Sequence, residues 1–168
     1  MGADNLEESF DAVIATADGP VWVVTTVAGG QRAGCLIGFA TQVSIGPRRF
    51  LVGLSKNNNT REIADAAEYL AVHLLTEQHF AVARLFATTT GDRTDKFAHC
   101  DWDTGPHGLP ILRAATGWFA ARIIERLDLG DHLGILLDPV AAGEPPRADS
   151  GAVLRLHAVA DLPPGHEA

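Results

Sequence analysis

Residues 34–60 read GCLIGFATQVSIGPRRFLVGLSKNNNT, and the division of this stretch decides the fold. Gln42-Val43-Ser44-Ile45 stops at Gly46-Pro47, and Phe50-Leu51-Val52-Gly53-Leu54 follows, so the spacing predicts two strands joined by a turn. Gly53 marks a place where the strand bends or something approaches its backbone. The polar run Lys56-Asn57-Asn58-Asn59-Thr60 then opens a helix, with Asn59 and Glu62 at the spacing of a capping pair. That order suits an extended phosphorylated ligand, because a strand edge meets a flat ring while a helix start meets a phosphate.

Upstream, Leu6, Phe10, Val13 and Ile14 recur at helical spacing between Asp4 and Ala17, with Glu7, Glu8 and Asp11 on the other side. This predicts an amphipathic helix with acids near its positive end. After Asp18-Gly19-Pro20 the run Val21 to Val27 is β-branched and aromatic, turns at Gly29-Gly30 and returns over Arg32 to Gly38 as a hairpin. Downstream, Tyr69 to Leu75 alternates as a half-buried strand, and Thr76 caps a helix in which Phe80, Ala83 and Phe86 share one side. Thr88 to Pro110 reads as a long ordered loop with a helical turn near Asp95-Lys96-Phe97, anchored by Phe97 and Trp102. Thr116 to Leu127 and His132 to Val140 form a hairpin about Asp128-Leu129-Gly130-Asp131, Ala141 to Gly151 is a Pro-rich crossing, and Ala152 to Val159 is a last strand. The tail over 160–168 is expected to fray.

The 168 residues suit a single domain, with a core at about residues 19–140. Roughly seven strands and three short helices, without repeated strand-helix-strand alternation, predict a mainly β, mixed β/α protein built as an antiparallel six- or seven-stranded barrel. A hydrophobic share of 46% with 20% charged residues is that of an ordinary globular chain. The net charge of -8, with Arg48-Arg49 as the one basic pair, argues against nucleic acid as a partner. No apolar run approaches the roughly 18 residues of a membrane span. The start, Met1 to Glu8, is acidic where a signal peptide would be basic, so a cytoplasmic location is expected. Cys35 and Cys100 make no C-x-x-C pair and are read as reduced thiols.

Three places carry candidate chemistry. Lys56, Asn59 and Thr60 offer a cation, an amide and a hydroxyl at a helix start, the equipment of a phosphate site or of a plain N-cap. Gly38-Phe39-Ala40-Thr41-Gln42 puts small and polar residues inside an apolar stretch, so a ring lying there would meet backbone amides; a strand with a glycine bulge is the alternative. Gly130-Asp131-His132 sets an imidazole just after a tight turn, where it meets an anionic or amide group or is simply solvated. His99, Cys100, Asp101 and His107 are metal-ligand types without a standard spacing, so a metal-binding protein is kept only as a rival and no metal is expected. No Walker loop, G-x-G-x-x-G, G-x-S-x-G or H-E-x-x-H motif occurs.

Together the chain resembles the flavin reductase family of split-barrel FMN-binding proteins, from about Gly19 to Val140. The resemblance is carried by Val23-Val24-Thr25-Thr26, Gly34, Thr41-Gln42-Val43-Ser44 before the turn proline, Phe50 to Ser55, Asn59-Thr60, Leu85-Phe86-Ala87, Asp95-Lys96-Phe97, Trp102, Gly108 to Leu112 and Gly130-Asp131-His132. It implies an NAD(P)H-dependent flavin oxidoreductase with FMN, or alternatively FAD, as cofactor and NADH or NADPH as co-substrate. The flavin ring would lie against Gly38, Phe39, Ala40, Thr41 and Gln42, and the phosphate near Ser55, Lys56, Asn59 and Thr60. His132, with Asp131 beside it, would position the nicotinamide. A homodimer and a flavin-dependent monooxygenase partner are implied too, the alternative being a flavin carrier of the same fold or a flavoenzyme with another substrate. The chain departs from the family where Leu36 to Phe39 replace hydroxyl and amide side chains, which leaves main-chain amides to hold the flavin, and where Arg48 replaces a second turn proline. Phe39 has two readings, on the ring or in the core, and the core is the expected one.

Overall fold

The computed structural model describes residues 3–88 and 94–163 of the chain. Helix α1 (Ala3–Ala17) precedes β1 (Trp22–Ala28), which turns through Gly29 and Gly30, both at positive φ, into β2 (Gln31–Ile37). The Gly46-Pro47 turn joins β3 (Ala40–Ile45) to β4 (Arg48–Ser55); α2 (Asn59–Ala66), β5 (Tyr69–Leu74) and α3 (Phe80–Thr88) follow. Two short strands, β6 (Trp102–Thr104) and β7 (Pro110–Leu112), pair with each other, and β8 (Gly117–Asp128) pairs with β9 (His132–Ala142). A short α4 (Leu156–Val159) comes last.

Among the described residues, seven strands form one antiparallel sheet in the order β2-β1-β5-β8-β9-β4-β3. One face of six of them meets in a shared interior: Val24, Ile37, Phe50, Val52, Leu54, Leu70, Val72, Ala121, Ile135 and Leu137 form one buried cluster. A single cluster fed by β1, β2, β4, β5, β8 and β9 requires the sheet to curl round it, and the curl brings β2 against β4. Helix α2 lies across β1, β2 and β4 there and sets Ala64 among the interior side chains. Phe50 is held edge to face by Trp22 and Phe119, with ring centroids 5.4 and 5.1 Å away. The mainly β, antiparallel expectation therefore holds, with the sheet curled as a barrel requires but its end strands β2 and β3 not paired to each other. On the outer face Val21 and Val23, alternating with Val24 inside, pack with Leu75, Ala83, Phe86, Phe97, Leu112 and Leu154.

Two buried polar groups tie these layers. Lys96 Nζ donates to the carbonyls of Gly34 (2.9 Å) and Phe86 (3.2 Å), joining β2 to α3, and burial pushes its pKa down. The neighbouring Cys35 is a free thiol whose pKa burial raises to about 11, against the pull of Lys96 and Thr60.

Four local readings change. Residues 152–159 do not form a strand; only the bridges Thr76 to Val153 and Pro20 to Arg155 remain, because the Asp18 carboxylate accepts from the His157 amide (2.9 Å) and winds the chain into α4. The cap of α2 is Asn58, not Asn59: its carboxamide accepts from Thr60 N–H at 2.8 Å. Thr76 makes no side-chain cap; it is buried and bridges by backbone to Val153 ahead of a short 3-10 turn. Helix α1 forms as expected, but its apolar side is not packed: Leu6, Phe10, Val13 and Ile14 are 72%, 62%, 66% and 43% exposed. The stretch read as a loop from Thr88 to Pro110 has the helical turn expected near Asp95-Lys96-Phe97, a 3-10 turn at Lys96–Ala98, but also holds β6, the start of β7 and a 3-10 turn at Pro106–Gly108. Residues 89–93, and 164–168 of the tail, lie outside the described residues. Among the described residues no helix is long and apolar enough to cross a membrane.

Candidate functional site

The site is built where the β3–β4 hairpin meets the β8–β9 turn. In the β4–β9 ladder Ser55 stands opposite His132 and Gly53 opposite Gly134, so pairing alone brings the start of β9 to the end of β4. Gly53 N–H donates to the Phe39 carbonyl at 2.7 Å, and a Cβ on Gly53 would come within 3.2 Å of the Phe39 Cβ. The close approach expected at Gly53 is thus the backbone of Phe39.

Beside this contact lies a cleft of about 370 Å³. Phe39, Ala40 and Thr41 form one wall, Leu51 and Gly53 the floor, and Leu129, Asp131 and His132 the opposite wall. Phe39 is 58% exposed, which corrects its assignment to the core: the chain leaves β2 before reaching it, and its ring leans on His132 at 4.8 Å between centroids. The Asp131 carboxylate accepts from His132 Nδ1 at 2.7 Å, and that bond holds the Asp131 pKa below its ordinary value. In the neutral ring this fixes the proton on Nδ1 and leaves Nε2 as acceptor.

Next to the cleft, Lys56 Nζ pairs with Asp128 (2.8 Å) while Lys56 N–H donates to the Asp131 carbonyl (3.0 Å). Asp128 also accepts from Gly130 N–H, and the two bonds, the one from Lys56 first, lower its pKa. The Ser55 hydroxyl accepts from Asn57 N–H at 3.4 Å. A half-exposed cation and a hydroxyl therefore stand just outside the cleft lining, beyond its His132 end.

The remaining candidates diverge. A Cβ on Gly38 would meet Leu156 Cδ2 at 2.6 Å, so α4 covers that glycine. The Gln42 carboxamide is turned along its own strand and donates to the Ser44 carbonyl. Asn59 and Thr60 line a different, narrow crevice with Arg32 and Lys96, and Thr60 is buried with its hydroxyl towards Cys35. Among the described residues no group of three or more His, Cys, Asp or Glu could hold an ion. Cys100 Sγ donates to the Lys96 carbonyl, while His107 stacks on Tyr69 with centroids 3.7 Å apart.

Leu51 and Leu129 are cleft residues that sequence reasoning did not single out. Leu51 carried a signal, since its neighbours Phe50 and Val52 point inward and strand alternation turns it out. Leu129, 53% exposed at the tip of a tight turn, carried only the oddity of an apolar residue there.

The residues present fit a flavin. The cleft is of ligand size, its apolar side chains Phe39, Leu51 and Leu129 suit a flat ring, and Lys56 with Ser55 suits a phosphate. Residues 15–158 match the profile of the flavin reductase like domain. The chain is 29% identical over 160 residues to an FMN reductase (NADH) RutF of Ancylobacter novellus, covering 94% of this chain and 88% of that one. It is 32% identical over 114 residues to the stachydrine N-demethylase reductase subunit Stc3 of Rhizobium meliloti, covering 66% of this chain. It spans 48% of Stc3, about half that protein's length. Among solved structures, the NADH:FAD oxidoreductase SgcE6 of Streptomyces globisporus superposes with a TM-score of 0.77 at 25% identity, covering 92% of this chain and 89% of that one. The chain belongs to the flavin reductase like family.

Proposed function

We propose that the chain is an FMN-dependent NADH oxidoreductase that supplies reduced flavin to a separate monooxygenase. One observation carries the reading: Phe39 to Thr41 of the predicted ring segment and the Asp131-His132 pair line the same cleft. FMN, when bound, supplies the chemistry of hydride acceptance. Phe39, Leu51 and Leu129 would flank its ring and exclude water, Lys56 and Ser55 would hold its phosphate, and His132, oriented by Asp131, would position the nicotinamide carboxamide. Gly38 and Gln42 would contribute backbone rather than side chains, and Asn59 and Thr60 the frame of α2. The oxygenase partner is an inference from the reductase subunit among the relatives. A homodimer is inferred from the uncovered apolar side of α1.

The test is FMN titration by fluorescence together with NADH oxidation at added FMN. His132→Ala is expected to lower kcat/KM for NADH by about tenfold or more while FMN affinity stays. An unchanged rate removes the role of His132, and a protein that does not quench FMN removes the whole reading. The leaning of Phe39 on His132 favours a second reading, a flavin holder whose nicotinamide place is filled by a side chain. Tight FMN binding without NADH oxidation, relieved in Phe39→Ser, would select it.

A further inference from the structure

A second cleft, of about 470 Å³, opens at the far end of the β8–β9 hairpin from His132. Phe119 pairs with Ala142 at this end and Asp128 with Leu133 at the other. At about 3.4 Å per residue of strand, the two clefts lie on the order of 30 Å apart along the hairpin. Three segments wall the second one: the turn after β5 with Gln78 and His79, the entry to β8 from Arg113 to Trp118, and the chain after β9 from Glu144 to Ser150.

We propose that this cleft is a second small-molecule site, separate from the flavin cleft, which takes its ligand through an oxyanion group, a carboxylate or a phosphate. Arg113, Arg147 and His79 line it against a single acid, Glu144, in a chain whose net charge is -8. Both guanidinium groups are held from outside the lining. Asp103 takes Nε and Nη2 of Arg113 at 2.9 and 2.6 Å, leaving Nη1, and Asp149 takes Nε of Arg147 at 3.1 Å, leaving both terminal nitrogens. A guanidinium tied along one edge loses less freedom when the other edge meets an oxyanion.

The second independent observation is Thr116. Its Oγ1 is buried and has no hydrogen-bond partner, although its N–H is satisfied by the Leu74 carbonyl at 2.8 Å. Native structures rarely leave such a group unpaired, and Thr116 belongs to the cleft wall, so a rotation of its side chain that uncovers Oγ1 would let it donate to a bound oxyanion. Ala114, Ala115 and Pro145 add an apolar wall for the rest of the ligand. The wall is closely packed at two points: a Cβ on Gly117 would strike Pro146 Cγ at 2.8 Å, and Gly143 packs on the Trp118 indole.

The test is calorimetric titration of the full chain, loaded with FMN, with inorganic phosphate and separately with benzoate. Saturable binding of at least one probe is expected, weakened about tenfold or more in Arg113→Gln/Arg147→Gln and severalfold in Thr116→Val, with the FMN titration unchanged in both variants. Thr116→Val keeps shape and charge, so it stays informative if the double variant folds poorly. Phosphate alone assigns a phosphate ester, benzoate alone a carboxylate. Failure of both probes to saturate, binding that survives both variants, or FMN affinity that falls in step with probe affinity overturns the proposal.

Discussion

His73 joins three strands through one buried ring. Its Nδ1–H donates to the Val23 carbonyl of β1 at 3.0 Å, and its Nε2 accepts from Leu112 N–H of β7 at 3.2 Å, while its own strand is β5. Both bonds together demand the neutral ring with the proton on Nδ1; a second proton on Nε2 would face the Leu112 amide. Burial pushes the pKa down to about 4, against the opposing effect of the Val23 bond. The unfolded chain titrates this residue near about 6.5. Between those values the unfolded state holds a proton that the folded state lacks, so stability rises with pH and falls as acid is added. Integrated from about pH 7 to about pH 5, this one residue removes about 2 kcal/mol. His73→Gln abolishes the titration but leaves one backbone group unpaired, so it should cost roughly 1–3 kcal/mol at neutral pH and then lose less on acidification. Urea unfolding of both proteins at the two pH values measures the difference, in which every other titrating group cancels. Equal acid losses in the two proteins would refute the argument.

Three further outcomes are expected. Lys56→Ala should weaken FMN about tenfold and leave riboflavin, which lacks the phosphate, unaffected in the same fluorescence titration; stability should hardly move, because the half-exposed pair with Asp128 contributes little. Gly34→Ala would set a Cβ 2.7 Å from the Phe86 ring and 3.0 Å from the Val24 carbonyl, so thermal unfolding should show a loss of about 1–3 kcal/mol. Phe10→Glu with Val13→Glu, on the uncovered side of α1, should leave the melting temperature nearly unchanged and convert a dimer to a monomer by light scattering.

The three hairpins were legible because each is punctuated locally: Gly29-Gly30, Gly46-Pro47 and Gly130 sit between runs of β-branched residues. The meeting of Ala40 and Thr41 with His132 followed from those hairpins once the family resemblance was added. What failed depended on distant partners. Leu154-Arg155-Leu156-His157 alternates like a strand, and only Asp18, far away in the chain, turns it into a helical turn. Three consecutive asparagines offer no local reason to prefer Asn58 over Asn59 as the cap. Phe39 reads as core by composition, yet its exposure depends on where the sheet ends. Lys96 stood in the motif Asp95-Lys96-Phe97, but its burial needs the carbonyls of two other elements.

The position of the cleft follows from β3 being the last strand of the sheet. Its neighbour is β4 on one side only, so the main-chain groups on its other side have no ladder partner among the described residues. Such an edge invites pairing with another chain and is usually blunted. Here the blunting is confined to the far half: the register slips between Gln42 and Ser44, and the Gln42 side chain covers the Ser44 carbonyl at 3.0 Å. Ala40 and Thr41, before the bulge, stay beside the cleft. An unpaired backbone edge next to apolar side chains can hydrogen-bond the polar rim of a flat ring without polar side chains of its own. That is the arrangement required by a segment in which Leu36 to Phe39 stand where the family offers hydroxyls and amides. On the proposed reading recognition there passes from side chains to the strand edge, so the binding of flavin should be more sensitive to a proline at Ala40 or Thr41 than to any change of side chain at Leu36.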